Sequence, residues 1–281
     1  LKELAENALD AGATQIAIEV RESLDRFLRI SDDACGMTAD ELRLAVERYT
    51  TSKIRSEDDL LSVTSLGFRG EALASIGEIA RLTVLTRTEA DEHGWEIKVE
   101  AGSAGEPVVA ARAQGTTVTV EDLFFNTPVR KRFLKTASGE LRLARSTISA
   151  YSLATPSVSW RYEVDGKKIL NLPGAGDLKS RLAQIHGAKL AEGLLAIQWQ
   201  EEKLTVRGYV GVPELARAGS QHQTFFVNGR WVMAPWLGQA VRQGYGDLIP
   251  NRQNPWICLF LVCPPDQVDV NLHPTKREIR F

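Results

Sequence analysis

Four short segments carry side chains that could do chemistry together. In the first, Glu3, Glu6, Asn7 and Asp10 recur three and four residues apart, a spacing that shares one face of a helix. A carboxylate at Glu3 could orient and deprotonate a water. One turn on, the amide oxygen of Asn7 is the kind of hard ligand that Mg²⁺ takes beside waters and substrate phosphates. A solvated polar face accounts for the same spacing. In the second, Ile30 to Met37, the pair Asp32-Asp33 ends a strand-like run before Ala34-Cys35-Gly36. An ionised carboxylate only accepts hydrogen bonds, so it could receive the exocyclic amine of adenine, with Gly36 letting the backbone approach the base. An Asx-turn leading into the next helix is the structural alternative.

In the third segment Gly67, Phe68, Arg69 and Gly70 open a helix. Free N–H groups, the helix dipole and a guanidinium make such a start an anion site. No G-x-x-x-x-G-K-[ST] string occurs, so any nucleotide site is not of the Walker type. The fourth, Val268 to Glu278, places Lys276 just after His273-Pro274. His93, His186, His222 and His273 show no paired spacing, which argues against zinc.

Several elements must position these groups. The apolar stripe Leu1, Leu4, Ala5, Ala8, Leu9 predicts a helix over Lys2–Leu9 stopped by Gly12. Strands are predicted at Thr14–Val20, Arg26–Ser31, Leu82–Thr86, Trp95–Val99 and Thr116–Glu121, with a hairpin over Ser159–Leu170 around Asp165-Gly166. Thr38 and Glu41 form a capping box for a helix to about Glu47. Helices are also predicted over Gly67–Ile76, Ser138–Leu153 and Pro235–Gly244. The polar stretch Arg48–Ser65 reads as a long functional loop, often a lid.

Taken in order, Glu3 to Gly12, Asp32 to Gly36, Thr51-Ser-Lys-Ile54, Gly67 to Leu73 and Gly115-Thr-Thr117 resemble the nucleotide motifs of the gyrase/Hsp90/histidine-kinase/MutL ATPase superfamily. Within it, Phe68 to Ile76, Leu123 to Pro128, Phe226 to Arg230 and Val268 to Pro274 are similar to the mismatch-repair MutL family. The resemblance implies two α/β domains: a Bergerat-type ATP-binding sandwich over 1–173 and a ribosomal-S5-like module over 178–281. It implies ATP and Mg²⁺ as cofactors, Glu3 as general base and Asn7 as metal ligand. Asp32 would hold adenine with Gly36 beside it and Thr116 sharing a water. Thr51, Ser52 and Lys53 would fall in the lid, Gly67 to Gly70 around the phosphates, and Lys276 on the γ-phosphate.

The implied function is a slow ATP-driven conformational switch in DNA mismatch repair. It would form a homodimer on ATP binding and work with DNA, the mismatch-recognition protein MutS and downstream repair enzymes. A scaffold with little hydrolysis and a topoisomerase subunit are the alternatives. The family pattern Asp-Asn-Gly-Cys-Gly is here Asp32-Asp33-Ala34-Cys35-Gly36. Ala34 would be strained if its φ were positive, at about 1 kcal/mol, and Asp33 would bring charge toward an anionic nucleotide.

Composition sets the frame. The 281 residues are 43% apolar with a net charge of −2, which excludes a disordered chain and suggests two domains. No run of apolar residues is long enough to cross a membrane, and Cys35, Cys258 and Cys263 are too scattered for a disulfide framework. Cys258 and Cys263 have opposite parity in a strand-like run, so they should face opposite ways, and both read as core residues. Turn formers cluster at Leu172–Asp177. Residues 178–281 hold 12 basic and 8 acidic side chains, net +4, against 22 and 28 in the remainder, net −6. DNA contact is therefore expected on the basic part through Arg242, or on Arg130, Lys131, Arg132 and Lys135. Leu1 opens inside a helix with no cap ahead of it, so preceding residues, and weaker activity without them, are expected. The expected location is cytoplasmic with the nucleoid, or nuclear in a eukaryote.

Overall fold

A computed structural model describes residues 1–47 and 72–264. The expected lid, the Gly67–Gly70 turn and the Val268–Lys276 segment, and with them Thr51, Ser52, Lys53, Phe68, Arg69 and Lys276, lie outside the described residues. The chain divides into two compact units, Leu1–Ile148 with Ser157–Gly174, and Ser149–Pro156 with Ala175 onward.

The first unit begins with α1 (Lys2–Asp10), whose buried stripe is Leu4, Ala5 and Ala8. The helix stops where the N–H groups of Ala11 and Gly12 turn back to the carbonyls of Asn7 and Leu9. Strands β1 (Gln15–Arg21) and β2 (Phe27–Asp32) follow as an antiparallel pair. Next comes α2 (Ala39–Val46), and a helix at Ala72–Gly77 precedes β3 (Arg81–Arg87) and β4 (Gly94–Glu100). Two short strands that periodicity did not suggest, β5 (Ser103–Ala104) and β6 (Val108–Ala110), both pair with β4. Strands this short carry no alternation to read. β7 (Gly115–Glu121), the helix Ala137–Ala154, β8 (Ser159–Val164) and β9 (Lys167–Leu172) complete the series.

These strands form one nine-stranded sheet in the order β5-β4-β3-β7-β2-β1-β8-β9, with β6 beside β4. β1 and β8 are parallel, so Ile16 and Ile18 lie level with Trp160 and Tyr162, and all four are buried. Asp165 and Gly166 both take positive φ, 49° and 73°, the two-residue type I′ turn that suits the twist of a hairpin. This sheet brings β2, β7 and β3 side by side, with α1 and the segment after β2 at its end.

The second unit is a five-stranded sheet in the order β10-β11-β16-β13-β14. Its strands are β10 (Leu194–Glu201), β11 (Leu204–Gly211), β13 (Gln223–Val227), β14 (Arg230–Val232) and β16 (Ile257–Val262). The two-residue strands β12 (Arg217–Ala218) and β15 (Gln253–Asn254) pair apart from it. One face packs Phe225, Val227, Ile257 and Leu259 on Leu237 of the helix Pro235–Tyr245. The other packs Phe226, Trp256 and Cys258 with Ala150, Leu153 and Leu182. Cys263 belongs to the first cluster and Cys258 to the second, as their parity requires. No helix of the described residues is long and apolar enough to cross a membrane.

The capping box at α2 is fully formed: Thr38 Oγ1 accepts from Glu41 N–H, and the Glu41 carboxylate accepts from Thr38 N–H at 2.8 Å. Thr38→Ala removes one half of it and should lower unfolding free energy by about 1 kcal/mol, read as a reduced urea midpoint at unchanged slope.

Candidate functional site

The expected adenine carboxylate sits at the last position of β2. Asp32 Oδ1 accepts from Thr116 N–H at 3.0 Å, across to β7, and from Ala34 N–H at 3.1 Å. Two residues whose importance the sequence did not announce hold the same place. Thr86, fully buried at the end of β3, accepts from Met37 N–H at 2.9 Å. Its hydroxyl lies 3.2 Å from the Gly115 carbonyl and 3.0 Å from Thr116 Oγ1. Arg112 donates to the carbonyls of Asp32 (Nη2, 2.8 Å) and Gly115 (Nε, 3.1 Å). Thr86 left a faint signal, a polar residue in the inward register of Leu82 and Val84; Arg112 left none.

Backbone packing at the site is close enough to dictate glycine twice. Gly36 has φ +72°, and a Cβ there would lie 2.0 Å from the Arg87 carbonyl oxygen. Gly115 has φ +116°, and a Cβ would lie 2.1 Å from the Asp32 carbonyl oxygen. The loop is also tied to α1, where Cys35 N–H donates to the Ala11 carbonyl at 3.4 Å.

On α1 the four polar residues do not share one environment. Glu6 is buried, with its carboxylate 3.6 Å from Lys2 Nζ, whereas Glu3 and Asp10 are exposed and Asn7 is half-buried. The expectation of a single polar face fails at Glu6, because the buried arc of this short helix reaches beyond Leu4, Ala5 and Ala8. Glu3 Oε1 stands 3.8 Å from Lys2 Nζ. Among the described residues no three His, Cys, Asp or Glu side chains gather into a metal cluster. Asn7 thus offers one amide oxygen, a donor set that fits a cation completing its shell with phosphates and water.

Both departures from the family motif have a structural explanation. Ala34 is not among the residues of positive φ and is buried, so no strain arises there. Asp33 turns away from its neighbour to the start of β1, accepting from Thr14 N–H and Gln15 N–H at 2.8 Å each and from Thr14 Oγ1 at 2.5 Å. Its carboxylate is committed to these donors, while its charge still acts on Asp32.

The two adjacent acids are shifted in opposite directions. Burial is the largest influence on Asp32 and lifts it above the usual carboxylate range, with the N–H groups of Ala34 and Thr116 and the charge of Arg112 pulling it partly back. Burial also pushes Asp33 upward, but the hydrogen bonds from Thr14 and Gln15 outweigh it and leave Asp33 below that range. In the second unit Arg242 donates to the carbonyls of Gly246 (2.8 Å), Ile249 and Pro250. In the first unit Arg130, Arg132 and Lys135 are exposed, and Lys131 pairs with Asp25 at 3.3 Å.

Residues 1–122 match the family described as histidine kinase-, DNA gyrase B-, and HSP90-like ATPase, and residues 182–281 match that described as DNA mismatch repair protein, C-terminal domain. The DNA mismatch repair protein MutL of Paramagnetospirillum magneticum is 44% identical over 287 aligned residues, covering all of this chain and 47% of that protein. That of Desulforudis audaxviator is 40% identical over 281 residues, covering 50% of its length. The chain thus spans about half the length of these relatives. Among solved structures, an N-terminal domain of a DNA repair protein has a TM-score of 0.82 at 27% identity, covering 100% of this chain and 87% of that one. The Aquifex aeolicus MutL ATPase domain complexed with ADP has a TM-score of 0.68 at 26% identity, with 94% and 90% covered.

Opposite shifts predict opposite mutants. A depressed carboxyl stabilises the fold above its unfolded pKa and loses that contribution as pH falls through its folded value. Asp33→Ala should therefore lower stability by about 1–2 kcal/mol near pH 7, with the gap to wild type closing in acid. Asp32 is raised, so its ionised form is disfavoured by folding, and Asp32→Asn should leave the neutral-pH melting temperature unchanged or higher. Thermal melts of both variants from pH 3 to 7 check the pair.

Proposed function

Because the chain belongs to the MutL family of DNA mismatch-repair proteins, we propose that it binds ATP at the Asp32 end of its first unit and hydrolyses it slowly to drive a conformational switch. The observation carrying this reading is the half-buried Asp32 carboxylate, held by two backbone N–H groups through Oδ1. Oδ2 takes neither bond and is the acceptor for the adenine amine. Thr116, whose N–H grips the same carboxylate, would share a water with the base, and the family resemblance puts Gly36 beside it.

Glu3, exposed on the first turn of α1, orients the attacking water and takes its proton. Asn7 offers the amide oxygen for Mg²⁺, which supplies neutralisation of the phosphate charge when bound with the nucleotide. The family resemblance gives Gly67, Phe68, Arg69 and Gly70 the phosphates, Thr51, Ser52 and Lys53 the lid, and Lys276 the γ-phosphate. Closure over ATP would pair two copies of the region and present it to DNA, MutS and downstream repair enzymes. Ala34 and Asp33 would favour the scaffold alternative only as signs of decay; the ordinary backbone of one and the strand-capping role of the other weaken that reading.

For DNA, Arg242 spends its guanidinium on three main-chain carbonyls. We therefore assign the first phosphate contacts to Arg130, Arg132 and Lys135, with Arg242 secondary.

Glu3→Ala should keep ATP affinity within a few-fold and cut steady-state turnover by roughly 100-fold or more; wild-type turnover would remove Glu3 from the chemistry. The double reversal Arg130→Glu with Arg132→Glu should weaken DNA binding and reduce the slope of log K against log salt by about 2. An unchanged slope would place the DNA elsewhere.

A further inference from the structure

Arg112 is a half-buried cation whose hydrogen bonds go to main chain, an expensive group to use where a neutral donor could tie two strands. Its two bonds select the carbonyls of Asp32 and Gly115. These are the residue that bears the candidate adenine carboxylate and the residue just before Thr116, whose N–H holds that carboxylate. Burial draws the guanidinium below its ordinary range, and the charge acting against that is Asp32. A planar fork is what reaches two carbonyls from one side chain at fixed separation.

We propose that Arg112 is a positioning residue for base selection, fixing the Asp32 carboxylate as an acceptor so that the site prefers a 6-aminopurine nucleotide to a 6-oxopurine one. This rests on the reading of Asp32 as the adenine carboxylate. The side chain acts through the two peptide groups it bonds and through its charge. A 6-oxopurine turns an acceptor toward Asp32 in place of a donor, so discrimination is lost when the carboxylate drifts or is neutralised.

The test is equilibrium binding of ATP and inosine triphosphate to the 281-residue chain and its Arg112→Gln, Arg112→Lys and Asp32→Asn variants, each checked for wild-type far-UV circular dichroism. Wild type should prefer ATP by about tenfold or more. Arg112→Gln should lose at least about fivefold of that preference, with ATP affinity falling and inosine triphosphate affinity within about twofold of wild type. Arg112→Lys, which keeps the charge and loses the fork, should fall between the two. If Asp32→Asn abolishes the preference while Arg112→Gln keeps it, or if Arg112→Gln weakens both nucleotides equally, the role of Arg112 is overturned. If Asp32→Asn binds and discriminates as wild type does, the adenine reading itself fails and the inference falls with it.

Discussion

The hydrogen bond from Thr116 N–H to the Asp32 carboxylate joins β7 to the end of β2, and the geometry of the candidate site follows from it. A carboxylate withdrawn from water is costly unless its oxygens find donors. Here two peptide N–H groups and a nearby guanidinium reduce that cost without cancelling it, which is why Asp32 remains raised. The bond requires the chain at Gly115 to pass against the Asp32 carbonyl oxygen, and no residue with a Cβ fits that passage. It also fixes the exit of the chain into the Ala34–Met37 turn. That turn is then caught by Thr86 of β3 and by Ala11 after α1, and passes close against the Arg87 carbonyl.

The sheet order explains why strands distant in sequence serve one site. β2 lies next to β7, and β7 next to β3, so Asp32, Thr116 and Thr86 come to one end of three adjacent strands. The antiparallel pairing puts the last residue of β2 beside the first residues of β7 and the end of β3. Glu3 and Asn7 enter from α1, whose C-terminal end is bonded to the same turn through Ala11. Local sequence sets each element; strand pairing brings the three strands together, and the Cys35–Ala11 bond ties α1 to them.

Much of this was legible beforehand where one local rule dominates. α1, α2 with its capping box, the Asp165-Gly166 hairpin and the opposite facing of Cys258 and Cys263 all follow from periodicity or turn chemistry acting within a few residues. The expected roles of Glu3, Asn7, Asp32, Gly36 and Thr116 rest on the order of motifs, not on propensity; the structure joins Asp32 to Thr116. Thr86 and Arg112 were not, because their meaning lies in carbonyls and N–H groups up to 80 residues away along the chain. Glu6 misled for a related reason. Helical spacing tells which residues are neighbours, but the width of the buried arc is decided by what packs on the helix.

The substitutions at 33 and 34, set beside Gly36, show how differently three neighbouring motif positions are constrained. Position 34 lies outside the left-handed region and is buried, so it limits side-chain size and tolerates a methyl. Position 36 tolerates none, since both its φ and the Arg87 carbonyl exclude a Cβ. Position 33 faces two N–H groups and a hydroxyl at the start of β1, a set of donors that an asparagine oxygen satisfies in part and a carboxylate satisfies with added charge. Replacing amide by acid there adds charge to a strand cap, and that charge still contributes to raising Asp32. The departure from the family pattern at position 33 is thus a hydrogen-bond exchange at the neighbouring strand that leaves a charge acting on Asp32.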